Sequence, residues 1–400
     1  MFYRKAKLCG KTQNILMKIL YFTRDYTSHD YRFLSALARR DHKIYYLRLE
    51  QRGPQLEDRA LPPEIEIVPW SGGKAPASLR DGPRLWYELR QIIRRIRPDI
   101  LHAGPLQRSA FLAALTGFQP LVSMSWGYDL LHDAQRNTAW GWATRYTLQH
   151  SAALVGDCNT IRQLAVSYGM PTERIVTFPW GIDLEHFSPG QPWTVPVQAS
   201  QSQATPFTLL STRSWESIYG VETIARAFVQ VARQRPELRL IMLGNGSQAG
   251  LLRQILSRDG LLEGPGRLGH PSVLLPGQAT YADLPGFYRS TDLYLAATHS
   301  DGTSISLLEA MACGCPVLVS DIPGNREWVT PGENGWLFPA GDADALAQAI
   351  LTAVEQRDRL PEMGCSARRL AEQRADWNQN FPQLFEAYRI ARTLGMKHKR

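Results

Sequence analysis

The chain has 400 residues, 44% of them hydrophobic and 20% charged, so it is long enough for two or three domains with sizeable cores. No apolar run approaches the ~20 residues that cross a bilayer, and an odd number of cysteines, five, indicates no disulfide framework and favours a reducing cytoplasm. The net charge of +8 lies entirely in residues 1–188, which favours either an anionic partner of the first half, such as phospholipid or a phosphorylated substrate, or simply a basic surface there.

Strand-like runs alternate with helical patterns along the chain. In the first half these runs lie at residues 18–22, 42–49, 65–70, 99–104, 121–126, 152–158 and 174–180. A stretch rich in Pro, Ser and Gln at residues 188–206 indicates a linker. After it, strand-like runs resume at residues 207–213, 238–244, 273–277, 292–298 and 316–321.

This alternation predicts parallel sheets with helical crossovers, arranged as two doubly wound, Rossmann-like α/β domains facing an interdomain cleft. The predicted domains span residues 17–187 and 207–380. Residues 1–16 are interpreted as a disordered extension, because Met17 is a candidate alternative start. Ligands of such domains bind at the carboxyl ends of the strands, so we expect functional residues in the loops that follow strands.

A basic amphipathic helix is predicted at residues 84–98. Its apolar residues, at positions 85, 89, 92, 93 and 96, follow helical spacing, and arginines cover the remaining surface. Such a helix can cover a sheet with its apolar face or lie on a membrane surface. We favour the sheet-covering interpretation and keep the membrane as an alternative.

The most informative stretch is "DGTSISLLEAMACG" at residues 301–314, which follows a strand and opens a helix. Thr303 or Ser304 is a natural N-cap, and the backbone amides of residues 302–305, Ile305 included, can bind an anion such as phosphate. Gly302 allows a ligand close to the backbone. Glu309 then lies ~7–8 Å along the helix axis, with Asp301 on the other flank.

This spacing fits a diphosphate across the helix end with one acid on each side, as in a bound nucleotide-sugar. Glu309 would accept hydrogen bonds from ribose hydroxyls and Asp301 would face the sugar. The alternative is that Asp301 is a turn residue and Glu309 an ordinary helix residue. A carboxylate among Leu308, Ala310 and Ala312 is an unusual choice for a buried face, which favours the first interpretation.

The segment around "LEAMACGCPVLVSD" closely resembles the C-terminal domain of glycosyltransferase family 4, the group 1 glycosyltransferases similar to glycogen synthases and mannosyltransferases. "FPWGIDLEHFSP" at residues 178–189 and "LGNG" at residues 243–246 also resemble family motifs. The resemblance implies the two-domain GT-B fold and transfer from a nucleotide-sugar with retention at the anomeric carbon. It also implies that the C-terminal helix, within residues 381–400, packs back on the first domain.

Further site residues follow from the resemblance. Arg213 matches the arginine that contacts the donor diphosphate, and Tyr219 is nearest to the position of a lysine that is absent here. Asp301 replaces the first Glu of the family pattern. With Arg213 and the two acids as catalytic residues, the remaining donor-binding candidates are Gly302, Thr303, Ser304, Ile305, Gly244, Gly246, Gln278 and Tyr219.

The first half departs further from the family. The loop after the first strand lacks the usual glycine pair, so His29, Asp30 and Arg32 are candidates for side-chain contacts. Trp126 replaces a common histidine and can stack on a sugar ring, with Asp129 accepting its hydroxyls. His102 matches a family histidine after the fourth strand and is a further acceptor-side candidate; the alternative is a buried strand-end histidine.

No metal site is predicted. The C-x-C at Cys313 and Cys315 is interpreted as small buried residues at a helix end. Asp342 and Asp344 form a D-x-D sequence just before a predicted helix, so Asp342 is interpreted as its N-cap and Asp344 as a first-turn acid. The resemblance implies the same, because positive charge at a helix end and Arg213 take the place of a divalent ion.

The sequence thus predicts a retaining hexosyltransferase that moves sugar from a nucleotide-diphosphate donor to a glycan or lipid-linked acceptor, in cell-envelope polysaccharide or glycolipid synthesis. Two alternatives remain open: a sugar-nucleotide epimerase of the same fold, and a non-catalytic nucleotide-sugar-binding subunit. No cofactor and no nucleic-acid partner are expected. A cytoplasmic location is expected, with peripheral contact at the inner face of the membrane as an open alternative.

Overall fold

The computed structural model describes residues 16–51, 57, 59–74, 79–190, 206–258, 260–262 and 272–397. The predicted extension and the predicted linker lie outside these residues, apart from residue 16 of the extension and residues 188–190 and 206 of the linker. Within the described residues, no helix is both long enough and apolar enough to cross a membrane.

Thirteen strands occur in the part of the chain that the structure describes. They are β1 (Lys18–Thr23), β2 (Lys43–Arg48), β3 (Glu66–Ile67), β4 (Ile100–Gly104), β5 (Leu121–Met124), β6 (Ala153–Gly156), β7 (Ile175–Thr177), β8 (Phe207–Ser211), β9 (Leu238–Leu243), β10 (Val273–Gly277), β11 (Leu293–Ala296), β12 (Val317–Ser320) and β13 (Gly335–Phe338). The first twelve coincide with the predicted strand-like runs, although β1 extends one residue beyond its run, and β13 was not predicted.

Helices connect most of these strands. The α-helices are α1 (Ser28–Ala38), α2 (Gly82–Ile96), α3 (Phe111–Leu115), α4 (Tyr128–Leu131), α5 (Thr138–Gln149), α6 (Asn159–Ser167), α7 (Val221–Gln234), α8 (Ala249–Ser257), α9 (Leu284–Arg289), α10 (Ile305–Ala312), α11 (Pro323–Arg326), α12 (Ala343–Glu355), α13 (Leu360–Arg374), α14 (Trp377–Asn380) and α15 (Leu384–Lys397). A π-helical turn precedes α3 at Leu106–Ala110, and 3-10 turns lie at Leu79–Asp81, Asp133–Gln135, Thr172–Arg174, Ser217–Tyr219, Arg357–Arg359 and Phe381–Gln383.

The strands form two sheets with the same winding. The first sheet has the order β3-β2-β1-β4-β5-β6-β7, and the second has the order β10-β9-β8-β11-β12-β13. Registers such as Leu20 beside Leu101 in the first sheet and Leu209 beside Leu240 in the second are parallel. The strand order reverses between β1 and β4 and again between β8 and β11. At such a switch point the loops leaving neighbouring strands diverge and open a crevice for ligands.

The chain divides into two compact units. Of the described residues, the first unit contains those within 16–124, 142–154 and 387–397, and the second contains those within 125–141 and 155–386. Most of α15, from residue 387 onward, therefore belongs to the first unit, whereas residues 125–141, which follow β5, belong to the second. Each unit has its own apolar core between a sheet and its helices.

The basic helix α2 uses its apolar face inside the first unit. Leu85, Leu89, Ile92, Ile93 and Ile96 are all buried in one cluster with side chains of the first sheet. These are the five apolar positions that the sequence spacing identified. The face that would have to enter a membrane is therefore already covered by the sheet, which confirms the sheet-covering interpretation.

Candidate functional site

The centre of the candidate site is Arg213, two residues beyond the carboxyl end of β8. Its guanidinium donates from Nη2 to Asp301 Oδ2 at 2.8 Å and from Nη1 to the Ser304 hydroxyl at 2.8 Å. Asp301 lies in the loop after β11, which is the strand beside β8 at the switch point of the second sheet. The two loops that the fold places together are thus joined by an ion pair whose side chains are mostly buried.

The second acid, Glu309, lies on α10 and is 9% exposed. Its Oε2 accepts a hydrogen bond from the Tyr288 hydroxyl at 2.8 Å, and that hydroxyl also contacts the Thr212 hydroxyl at 2.9 Å. Thr212 and Arg213 are consecutive, so one side chain leads to Glu309 and the next to Asp301. The structure therefore connects both predicted acids through the segment that follows β8.

Tyr219, which is nearest to the position of the missing family lysine, contacts Arg213 through its ring. The Arg213 guanidinium carbon lies 4.0 Å from the centre of the Tyr219 ring, which is a cation–π contact. Tyr219 ends a short 3-10 turn, Ser217–Tyr219, and packs against the core of the second unit. It orients the guanidinium and adds no second positive charge.

Asp157 is a site residue that the sequence analysis missed. It follows β6 directly, it is 3% exposed, and its Oδ2 accepts the Thr303 backbone N–H at 2.7 Å. The Thr303 hydroxyl in turn donates to the Asp157 carbonyl at 3.0 Å. Burial raises the pKa of Asp157 to about 6, and the nearby Asp301 charge acts in the same direction. An acid immediately after a buried strand was the available signal.

This contact corrects part of the predicted phosphate cradle. The amides of residues 302–305 were expected to face a ligand, but the Thr303 amide is occupied by Asp157. Gly302 was expected to admit a ligand, yet a Cβ there would lie 2.3 Å from Asp157 Oδ2. Glycine is required at 302 because the loop approaches this carboxylate. Ser304 is the N-cap of α10, so the first-turn amides from Ile305 onward have no acceptor within the helix.

The two glycines after β9 bring another loop against the Arg213 segment. A Cβ on Gly244 would lie 2.8 Å from the Arg213 carbonyl oxygen, and one on Gly246 would lie 2.5 Å from the Trp215 carbonyl oxygen. Gly244 also has a φ of +122°, which L side chains rarely adopt. These glycines act by permitting backbone packing around Arg213.

A small cavity of about 240 Å³ lies next to this loop, at the carboxyl ends of β9 and β10. Gln278, Leu243 and the mostly buried ring of Phe287 line it. Gln278 therefore lies on the ligand-binding edge of the second sheet, beside the loop that contains Gly244.

The segment after β5 contributes Trp126 and Asp129 to the second unit. The Trp126 ring is half-buried and lies edge-to-face with Trp180, with centroids 6.2 Å apart. Asp129 is 2% exposed and accepts a hydrogen bond from the Ser125 hydroxyl at 2.6 Å. Asp129 therefore holds its own loop, which differs from the expected contact with sugar hydroxyls.

The acceptor-side candidates of the first unit are also mostly structural. Asp30 accepts hydrogen bonds from the Thr27 backbone N–H at 2.9 Å and from the Thr27 hydroxyl at 2.6 Å, which forms a capping box at the start of α1. Asp30 is 2% exposed, and burial raises its pKa to about 7. A ligand contact by Asp30, as expected from the sequence, conflicts with this burial. His29 and Arg32 on the same helix are half-buried.

His102 lies in the core of the first unit, on β4. Its Nδ1 is hydrogen-bonded to the Tyr388 hydroxyl of α15 at 2.8 Å, and its ring lies edge-to-face with Tyr21. Burial lowers the pKa of His102 to about 3, so the imidazole is neutral at physiological pH. This geometry fits the alternative of a buried strand-end histidine. The hydrogen bond between His102 and Tyr388 links β4 to α15 within the first unit.

The two candidate metal motifs have structural explanations. Asp342 is the N-cap of α12 and accepts the Ala345 backbone N–H at 2.9 Å, as predicted. Asp344 accepts a hydrogen bond from Gln230 at 2.7 Å. Cys313 and Cys315 are buried at the end of α10, which confirms that interpretation.

Comparison with known families covers most of the chain. A family model described as "Glycosyltransferase Family 4" matches residues 28–186, and one described as "Glycosyl transferases group 1" matches residues 206–356. The chain belongs to glycosyltransferase family 4. The two matched ranges flank the predicted linker, and the second contains Arg213, Asp301 and Glu309.

Curated relatives of this family 4 chain share about 30% identity with it, over about half of its length. The D-inositol 3-phosphate glycosyltransferase of Nocardia farcinica is 30% identical over 210 residues, which cover 52% of the chain and 45% of that protein. The phosphatidyl-myo-inositol mannosyltransferase of Mycobacterium leprae is 30% identical over 223 residues, covering 56% and 55%. The chain thus matches about half the length of these curated relatives.

Solved structures establish that this family 4 chain has the GT-B fold. Anabaena HepE in complex with UDP-glucose has a TM-score of 0.70 and 18% identity, covering 93% of the chain and 99% of HepE. Sucrose-phosphate synthase of Thermosynechococcus elongatus has a TM-score of 0.72 and 17% identity, covering 93% and 98%. At these identities the likeness concerns the fold.

Proposed function

We propose that this chain is a retaining glycosyltransferase that moves a hexose from a nucleotide-diphosphate sugar to a hydroxyl of a glycan or lipid-linked acceptor. The observation that carries the proposal is the connection of both acids through Thr212 and Arg213 at the switch point of the second sheet. An anion-binding arginine, a helix N-terminus and two acids at one strand edge fit the parts of a nucleotide-sugar.

The leaving diphosphate would be held by Arg213 and the first turn of α10. The guanidinium already reaches the Ser304 hydroxyl at 2.8 Å, so it lies directly over the helix N-terminus. Unpaired amides and the helix dipole add positive charge there. Such preorganised charge stabilises the leaving group in the transition state, and we propose that it makes a divalent metal ion unnecessary.

Glu309 would bind the ribose of the donor. Its Oε2 accepts a hydrogen bond from the Tyr288 hydroxyl at 2.8 Å, and a carboxylate is an acceptor of the kind that ribose hydroxyls require. The cavity of about 240 Å³ beside Gln278 lies at the same strand edge and is a suitable place for the nucleobase. Asp301, held by Arg213, would face the sugar.

The comparisons support the choice of substrates. HepE has been crystallised with UDP-glucose, and the Mycobacterium leprae relative is named phosphatidyl-myo-inositol mannosyltransferase. We infer that the donor is a UDP- or GDP-hexose and that the acceptor belongs to envelope polysaccharide or glycolipid synthesis. We propose further that the enzyme works in the cytoplasm, with its acceptor at the inner face of the membrane.

The test is a panel of UDP-, GDP- and ADP-hexoses, first by thermal shift and then by release of nucleoside diphosphate with a membrane-lipid or glycan acceptor fraction. We expect one nucleotide class to bind, and its diphosphate to be released only with acceptor and also in EDTA. Glu309→Gln should lower turnover at least tenfold, whereas the exposed control Glu355→Gln should not change it. The anomeric proton coupling of the product should show retention.

Three results would contradict the proposal. Conversion of the donor to its epimer without acceptor would identify an epimerase. Binding without turnover in any acceptor fraction would identify a nucleotide-sugar-binding subunit. Equal turnover of Glu309→Gln and Glu355→Gln would show that Glu309 does not take part in donor binding or transfer.

A further inference from the structure

A second cavity of the second unit lies at the opposite edge of the sheet from the candidate donor site. It has a volume of about 320 Å³ and lies at the amino ends of β8, β9 and β11. Strands of five to six residues separate the two edges by ~15–20 Å. The polar side chains that line this amino-edge cavity are Thr208, Arg239, Arg289, Ser290, Thr291 and Asp292.

Arg239 is the unusual member of this set. It is the second residue of β9 and is 9% exposed, and within the part of the chain that the structure describes it makes no hydrogen bond and no ion pair. Burial lowers the pKa of its guanidinium below the ordinary value for arginine. A buried charge without a counter-charge is costly, so the folded chain would gain stability from an anion that reached it.

The neighbouring groups leave this charge uncompensated. The Asp292 carboxylate accepts the Thr208 backbone N–H at 2.8 Å, and its other oxygen lies 3.8 Å from Arg357. Arg289 donates from Nε to the Ser188 carbonyl at 2.7 Å, which fixes its guanidinium at the cavity. The cavity is therefore lined by the guanidinium groups of Arg239 and Arg289 and by one carboxylate, Asp292, which already contacts Thr208 and Arg357.

Two of the hydroxyls that line the cavity are already used as hydrogen-bond donors. Ser290 and Thr291 both donate to the Phe287 carbonyl, at 2.9 and 2.8 Å. The charged donors to a ligand are therefore the guanidinium of Arg239, whose planar N–H groups match the paired oxygens of a phosphate, and Nη1 of Arg289. A dianion would balance both charges, and 320 Å³ is more space than a bare phosphate needs.

We propose that the amino-edge cavity is a binding site for a phosphate group, supplied either by a small phosphorylated metabolite or by inorganic phosphate, and separate from the donor site. Arg239 is its main ligand and Arg289 its second. Because the cavity lies on the far edge of the sheet that carries Arg213, occupancy would change the stability of the second unit without occupying the donor site.

The test compares thermal unfolding of the full chain in chloride and in inorganic phosphate at equal ionic strength, and in glucose 6-phosphate against glucose. Wild type should unfold at a higher temperature with phosphate, by an amount that grows with ln(1 + [L]/Kd). Arg239→Met should lose this shift, and without phosphate it should be at least as stable as wild type. Arg239→Lys should keep a weaker shift, and the exposed control Arg226→Met should keep it fully.

Phosphate can also bind near Arg213, so Arg213→Gln separates the two sites. A shift that survives in Arg213→Gln but not in Arg239→Met supports the amino-edge cavity. No shift in wild type, an equal shift in Arg239→Met, or loss in Arg213→Gln alone would overturn the proposal. A larger effect of glucose 6-phosphate than of phosphate would identify an organic phosphomonoester as the ligand, and equal effects would identify inorganic phosphate.

Discussion

Replacing Asp157 with asparagine isolates the energetics of the carboxylate beneath the α10 loop. Asp157 is buried, its Oδ2 accepts the Thr303 amide, and its Oδ1 has no hydrogen-bond partner within the described chain. Burial raises the pKa of Asp157 from 3.8 to about 6. The folded protein therefore holds a proton at pH values where the unfolded chain has lost it, so the contribution of Asp157 to stability is greatest at low pH and falls as pH rises from about 4 to about 6.

The size of this effect follows from the shift. About two pKa units at 1.36 kcal/mol each give a loss of about 3 kcal/mol across that window and no further change above it. Asparagine keeps an oxygen for the Thr303 amide and has no proton to lose. Asp157→Asn should therefore gain about 3 kcal/mol over wild type between pH 4 and pH 7.

Urea unfolding of wild type and Asp157→Asn at half-unit steps from pH 4 to pH 8 measures this difference in unfolding free energy. Most other titrating groups contribute equally to both proteins and therefore cancel in the difference. The reasoning would be refuted by a difference that does not change with pH. It would also be refuted by a wild type that gains on the variant as pH rises, because that would mean that the Thr303 amide holds the carboxylate as an anion and lowers its pKa.

Two other substitutions probe the same site. Gly302→Ala should lower the free energy of unfolding by about 2 kcal/mol or more in urea titrations, since the new Cβ would lie 2.3 Å from Asp157 Oδ2. The control Gly250→Ala on α8 should be neutral or slightly stabilising, because its new Cβ would contact no other atom within 4 Å. Tyr288→Phe removes the donor to buried Glu309 and should cost about 1–3 kcal/mol in unfolding free energy; an unchanged urea midpoint would show that the hydrogen bond does not contribute.

Local patterns were sufficient for most of the fold. The runs around β4 and β9 are mostly apolar stretches next to turn residues, and both strands lie where the pattern placed them. β13 escaped because it has four residues, begins with a glycine and has no alternating pattern. In residues 65–70 only Glu66–Ile67 forms a strand, since a run at the sheet edge has a neighbour on one side only.

The candidate site was predictable only in part, because its contacts join distant segments. Glu309 was recognisable as a carboxylate in an apolar helix. Asp157, however, contacts Thr303 from 146 residues away, and Tyr288 resembles an ordinary core aromatic until its hydroxyl is seen to reach Glu309. Asp30 is the opposite case, since a capping box with Thr27, only three positions away, explains an acid that the sequence assigned to a ligand contact.

The most direct test of the account is a crystal structure of the chain with the nucleoside diphosphate that the thermal-shift panel selects. The account predicts both phosphates within hydrogen-bond distance of the Arg213 guanidinium and the first-turn amides of α10, and the ribose hydroxyls on Glu309. A nucleotide bound elsewhere, with Arg213 contacting only Asp301 and Ser304 as it does now, would contradict it.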